Sequence, residues 1–160
     1  WPITAATRER RSRMSLGAVL GFDVGAKRIG VAVGNGITGT ATELGLIEVR
    51  DGIPDWARFE KLLKEWAPVQ LIVGDPLTFD DDDPDPPARQ RARGFARAAA
   101  TRSGLPVVMV DERRSSKEAA RRFADQRRAG LKRRSDAEEI DALAAVVIVE
   151  RFLASYPSPP

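Results

Sequence analysis

Five short apolar runs constrain this chain more than any other feature, because their spacing leaves few folds open. Val19-Leu20-Gly21-Phe22-Asp23-Val24 and Arg28–Val33 are separated only by Gly25-Ala26-Lys27, which predicts a β-hairpin. Thr40–Val49 follows the loop Gly34-Asn35-Gly36 and predicts a third extended strand. Pro54-Asp55 then opens a stretch in which Trp56, Phe59, Leu62, Leu63 and Trp66 recur at helical spacing, the pattern of a core-facing stripe. Pro68 ends that helix, and Val69–Val73 predicts a fourth strand. Gly74–Pro87 is a loop by composition, and Ala88–Thr101 is an Arg/Ala helix stopped at Ser103-Gly104. Pro106–Asp111 is the fifth strand, Ser115–Ala129 a helix, Lys132-Arg133-Arg134 a basic loop and Asp136–Leu153 a long last helix. A three-strand antiparallel meander followed by two βα units predicts an α/β domain: a mixed five-stranded sheet with helices on both faces.

At 160 residues one domain is the default, and 42% hydrophobic residues suffice for one core. No apolar run approaches the ~18 residues that would span a membrane. Cys and His are both absent. That excludes disulfides, thiolate or imidazole metal sites, Cys nucleophiles and Ser-His-Asp catalysis. Any enzyme built on this chain works with carboxylates, lysines, hydroxyls or a metal held by oxygen.

The net charge of +3 is carried by Trp1–Arg13, where four Arg face Glu9 alone. This stretch lacks the apolar segment of a signal peptide and is expected to be a disordered leader, an upstream extension or cloning remnant, with Met14 the true start. The single domain is then 14–160, and a cytoplasmic location is expected. The neutral body is polarised. Asp75–Asp85 contains six Asp and no base, Arg89–Arg102 five Arg and no acid, and Arg113–Arg134 ten bases against Glu118 and Asp125. Solvated helix faces have this look, but clustered Arg is also the footprint of a phosphate-binding surface.

Three carboxylates sit where stability alone would not put them. Asp23 interrupts the first apolar strand, Glu112 follows the fifth, and Asp141 lies in the apolar segment Ile140–Ala145. A buried carboxylate needs a cation or hydrogen bonds nearby. Taken singly, each could serve as an ion-pair partner for one of the many Arg. Taken together they suggest convergence, since sites in α/β sheets form at the carboxyl ends of strands. Three oxygen-only ligands suit Mg²⁺ or Mn²⁺, and two such ions roughly 4 Å apart can drive phosphodiester cleavage. Beside Asp23, Gly25 permits close backbone approach in the turn, and Lys27 could hold a phosphate.

Gly21-Phe22-Asp23-Val24-Gly25-Ala26-Lys27-Arg28-Ile29-Gly30-Val31-Ala32 resembles the opening of the YqgF family, a bacterial RNase H-like group. The resemblance continues through Val73–Leu77, Val110–Arg113 and Ile140–Ala145, so that it covers essentially everything from Leu20 to Leu153. It implies an RNase H-like fold, catalytic acids at Asp23, Glu112 and Asp141, and a nuclease of pre-16S ribosomal RNA, formerly regarded as a Holliday-junction resolvase relative. Three places depart from the family pattern. Asp75 stands where an apolar residue is usual, Asp80–Asp83 replaces a glycine-containing loop, and Asp136-Ala137-Glu138-Glu139 stands where bases are common. Glu138, three residues before Asp141, is an outside candidate for a further ligand.

The expectation is therefore a nuclease with Mg²⁺ or Mn²⁺ as cofactor and structured precursor rRNA or branched DNA as partner, acting as monomer or homodimer. Lys27 and Arg113 are the expected phosphate contacts. Arg121, Arg122, Arg127, Arg128, Lys132, Arg133 and Arg134 form the expected nucleic-acid surface. The competing readings are a Holliday-junction resolvase, which needs a two-fold dimer, and a non-catalytic nucleic-acid-binding module. An actin-like ATPase shares the DxG hairpin but needs two such domains around its nucleotide.

Overall fold

The computed structural model describes residues 17–76, 86–111 and 136–155, the last of these by backbone alone at 136–141 and 155. Its strands are β1 (Ala18–Val24), β2 (Arg28–Asn35), β3 (Thr40–Arg50), β4 (Ile53–Pro54), β5 (Gln70–Asp75) and β6 (Val107–Asp111). The helices are α1 (Trp56–Trp66), α2 (Pro87–Ser103) and α3 (Asp136–Ser155). The sheet runs β4-β3-β2-β1-β5-β6. The expected meander is present, with β1 and β2 paired antiparallel from Ala18↔Asn35 to Val24↔Ile29. β5 and β6 then join parallel to β1. The one addition to the five expected strands is the two-residue β4, which pairs Val49↔Pro54 and Arg50↔Ile53 at the sheet edge.

Side chains alternate across each strand, and this alternation sorts the core into two layers. Leu20 and Phe22 of β1, with Leu71 and Val73 of β5, face α1 and α2. There Phe22, Phe59 and Phe95 meet with ring centroids 5.1–6.0 Å apart. Trp56 stacks on Phe95 at 5.5 Å. Val19, Ala32 and Ile72 face the other way and pack under Val146, Val149 and Phe152 of α3. Residues Ala142–Val149 are buried without interruption, so this stretch of the helix is covered on all sides.

Local chemistry sets the helix ends. Asp55 caps α1 by accepting from the Arg58 N–H at 3.2 Å. The helix stops at Trp66, where Ala67 takes a left-handed conformation and donates to the Leu63 carbonyl. The stripe read as core is buried at Phe59 and Leu62 but leaves Trp66, in the last turn, 37% exposed. α2 has proline at its start, where no N–H is needed, and a left-handed Gly104 at its end. No helix among the described residues is long and apolar enough to cross a membrane.

Candidate active site

Asp23 is the last residue of a row. Val19, Gly21 and Asp23 alternate onto the α3 face of β1, and Asp23 is half-buried opposite Gly30 of β2. The row is pressed against α3. A Cβ on Gly21 would collide with Val149 Cγ2 and lie 3.6 Å from the Ala145 carbonyl. One on Gly34, the register partner of Val19, would collide with Val149 Cγ1 and lie 3.1 Å from Leu153 Cδ1. Following α3 backward from Leu153 through Val149 to Ala145 thus leads toward the carboxyl end of β1. The next position in that helix row is 141, and the next in the strand row is Asp23. The helix has to touch the sheet backbone for this alignment, which is why both contact positions are glycine.

The turn after Asp23 is equally tight. The Gly25 N–H donates to the Arg28 carbonyl at 2.9 Å, and a Cβ on Gly25 would come within 2.7 Å of that oxygen. Close approach, rather than a positive φ, is what requires glycine here. The Lys27 carbonyl accepts from the Val49 N–H at 2.9 Å, which fixes the turn to β3 while the lysine itself stays exposed.

Two more carboxylates reach the same end of the sheet. Asp75 and Asp111 stand in register on parallel β5 and β6. By alternation from Val73 and Met109 they lie on the α2 face, opposite to Asp23. Asp75 is held by Arg89 of α2, with Nε 3.0 Å from Oδ1 and Nη2 3.5 Å from Oδ2. The departure noted in the sequence is therefore an ion pair between β5 and α2. Arg151 of α3 donates to the Asp111 carbonyl at 2.9 Å, tying the helix to the end of β6 immediately before Glu112. Neither Arg89 nor Arg151 was legible as a positioning residue, since each is one Arg among many in the sequence.

Asp23 and Lys27 are thus the predicted site residues whose side chains are described. Position 141 is placed by the α3 backbone. Glu112, Arg113, Arg121, Arg122, Arg127, Arg128, Lys132, Arg133 and Arg134 lie outside the described residues, as do the expected leader, the helix expected over 115–129 and the loop expected at Asp80–Asp83. Among the described residues no three acids group to hold a cation. What Asp23 contributes is a hard oxygen donor at a strand end in a chain without His or Cys. That donor chemistry fits Mg²⁺ or Mn²⁺ and excludes a soft-ligand centre.

The family described as RuvX, Holliday junction resolvase, matches residues 17–155. This chain belongs to it. A protein of Xanthomonas axonopodis pv. citri named as a pre-16S rRNA nuclease is 55% identical to this RuvX-family chain over 139 residues, 87% of this chain and 88% of that one. A protein of the same name from Xanthomonas oryzae pv. oryzae matches equally well. Among solved structures, Thermus thermophilus RuvC in complex with a Holliday junction superposes with a TM-score of 0.53 at 19% identity, covering 87% of this chain and 94% of that one. The yeast mitochondrial Holliday junction resolvase Ydc2 gives 0.50 at 11%, covering 94% and 85%. At such identities the likeness is one of fold, and it is the RNase H-like α/β architecture that the sequence implied. The enzyme class read from the sequence, a nuclease hydrolysing phosphodiester bonds, agrees with membership of the RuvX family.

Proposed function

We propose that this chain is a divalent-metal-dependent nuclease that cleaves precursor 16S rRNA during maturation of its 5′ end, in the cytoplasm. The observation that supports this most is the alignment of two rows, Val19-Gly21-Asp23 on β1 and Leu153-Val149-Ala145-Asp141 on α3, over glycines that bring helix and strand into contact. The 55% identity to proteins named for this activity supports the choice of substrate.

In this reading Asp23, Glu112 and Asp141 would hold Mg²⁺ or Mn²⁺. A cation held there supplies Lewis acidity and the means to activate water near neutral pH. The chain's own work is positioning. The Gly25–Lys27 turn presents Lys27 beside Asp23 to a backbone phosphate, and Arg113 does the same beside Glu112. The bases from Arg121 to Arg134 track the nucleic-acid backbone and contribute affinity rather than sequence choice.

A specific observation favours a second reading. The RuvX family carries the description Holliday junction resolvase, and RuvC shares the fold. A resolvase would act as a two-fold dimer on symmetric strands, whereas the rRNA reading is satisfied by monomer or homodimer. Cleavage of a 5′-extended 16S precursor and of a four-way DNA junction, each with Mg²⁺ or Mn²⁺, separates the two. Cutting of the precursor, abolished by Asp23→Asn, is the expected result. Cutting of the junction alone would overturn the rRNA assignment, and binding without any cutting would leave a nucleic-acid-binding module.

A further inference from the structure

A cleft of about 340 Å³ opens on the α2 side of the sheet, back to back with Asp23. Val24 follows Asp23 and faces the opposite way into this cleft, so one strand thickness separates the two. Gly25 lines it from the β1–β2 turn, Gly52 from the β3–β4 turn, and Arg91, Gly94 and Ala98 from α2.

Gly94 is the unexpected member. It sits in the interior of α2, where glycine weakens a helix relative to alanine. Packing does not require it, since a Cβ there would meet nothing within 4 Å. Helix stability is given up and an open floor is gained. The cations sort in the same direction. Arg89 and Arg102 of this helix are committed to Asp75 and Glu60. The exposed side chain of Arg91, at the rim, has no hydrogen-bond or ion-pair partner among the described residues, and neither has the side chain of Lys27 in the facing turn.

We propose that this cleft takes the base of one unpaired nucleotide in the substrate strand, with Arg91 and Lys27 on its phosphates. The inference rests on the nuclease reading and deepens it, making a single-stranded stretch next to the cleaved bond part of what is recognised. The volume is at the lower end for small-ligand sites, the size of a flat ring rather than a peptide segment. Between the apolar side chains of Val24, Ile29, Trp56 and Phe95, the small residues Gly52 and Gly94 leave backbone open for such a ring to lie against. A cationic rim around an apolar slot complements a nucleotide, whose base is flat and whose phosphate is anionic.

Gly94→Leu fills the cleft, and Arg91→Gln removes the rim charge. Both are made in the full chain carrying Asp23→Asn, so that bound RNA stays intact. Anisotropy is read on a fluorescein-labelled single-stranded RNA, on the same strand with single bases removed, and on a fully paired RNA hairpin. The expected result is about a tenfold loss of single-strand affinity in Gly94→Leu, hairpin affinity unchanged, and a melting temperature no lower than the parent's. Base removal at one position of the strand should weaken the parent and not Gly94→Leu. Arg91→Gln should weaken single-strand binding and flatten its salt dependence. Should Gly94→Leu melt lower, Gly94→Ala and the base-removed strands read the cleft without it. Single-strand binding indifferent to base removal and to both substitutions would overturn the proposal. Cleavage of the 16S precursor by the chain with Asp23 intact is scored separately. Cleavage with an indifferent cleft leaves the nuclease reading standing alone. Base-dependent binding without cleavage leaves the cleft and removes the nuclease.

Discussion

Arg89 on α2 holds Asp75 at the end of β5 with two donors of its guanidinium, at 3.0 Å to Oδ1 and 3.5 Å to Oδ2. The pair is largely shielded, with side-chain exposures of 26% and 14%. It joins the helix to the strand end, and it occupies the position where the family resemblance leads one to expect an apolar residue. Arg89→Ala strands the carboxylate and should cost about 2 kcal/mol in urea denaturation. Replacing both partners, Asp75→Leu with Arg89→Leu, should recover most of that loss, because no buried charge is then left unpaired. A double variant as unstable as the single one would show that the ion pair itself is worth its desolvation.

Gly21 and Val149 form the contact that aligns α3 with β1, and their coupling is measurable. Gly21→Ala forces its Cβ into Val149 Cγ2 and should cost about 1–3 kcal/mol. Val149→Ala removes that methyl and leaves a Cβ 3.6 Å away, an ordinary contact. The double variant should therefore be more stable than the sum of the singles by about 1 kcal/mol or more. Strict additivity would mean that the helix yields to the extra methyl without cost.

Asp23→Asn distinguishes a metal ligand from a structural ion pair. If Asp23, Glu112 and Asp141 converge, their mutual repulsion weakens the metal-free fold, and the amide relieves it while keeping the shape. The variant should lose cleavage, melt no lower than the wild type without metal, and lose the rise in melting temperature that Mg²⁺ or Mn²⁺ produces. Were Asp23 the partner of a buried Arg, the same change would cost about 3–5 kcal/mol and be indifferent to metal. Paired thermal melts with and without metal read the two outcomes with opposite signs.

Salt tests the basic surface proposed for Arg113–Arg134. For every phosphate that the protein no longer neutralises, the slope of log K against log salt should become shallower by about 0.7–0.9. Arg127→Ala with Arg128→Ala should flatten the slope by about one to two units while leaving the melting temperature within about a degree of the parent's. An unchanged slope in a filter-binding titration would mark these bases as solvated only.

Much of the molecule was legible before folding because its signals are local. Hairpin, meander and βα units followed from period-two and helical spacing, the start of α1 from Asp55 and the end of α2 from Gly104, whereas Pro87, read as the end of the loop, is the first residue of α2. Trp66 escaped that logic. Helical spacing puts it on the apolar stripe, but it is the final residue of α1 and is left 37% exposed. The short β4 escaped for a related reason: two residues carry no periodicity, and only the return of the chain alongside Val49 and Arg50 makes them a strand.

Sequence by itself determined the chemistry available here. Without His or Cys the reactive groups are oxygen donors and cations, and a carboxylate inside an apolar strand marks Asp23 as costly to bury unless a cation or hydrogen bonds meet it. Tertiary structure alone decided which carboxylate faces which layer. Alternation from β1 sends Asp23 toward α3, while the register of β5 and β6 sends Asp75 and Asp111 toward α2, where Arg89 meets the first of them. It also decided that Gly21 and Gly34 are contact points and that Gly94 is open floor. The physical reason is range: composition and spacing act along a few neighbouring residues, whereas facing, register and empty space exist only once distant segments are packed together.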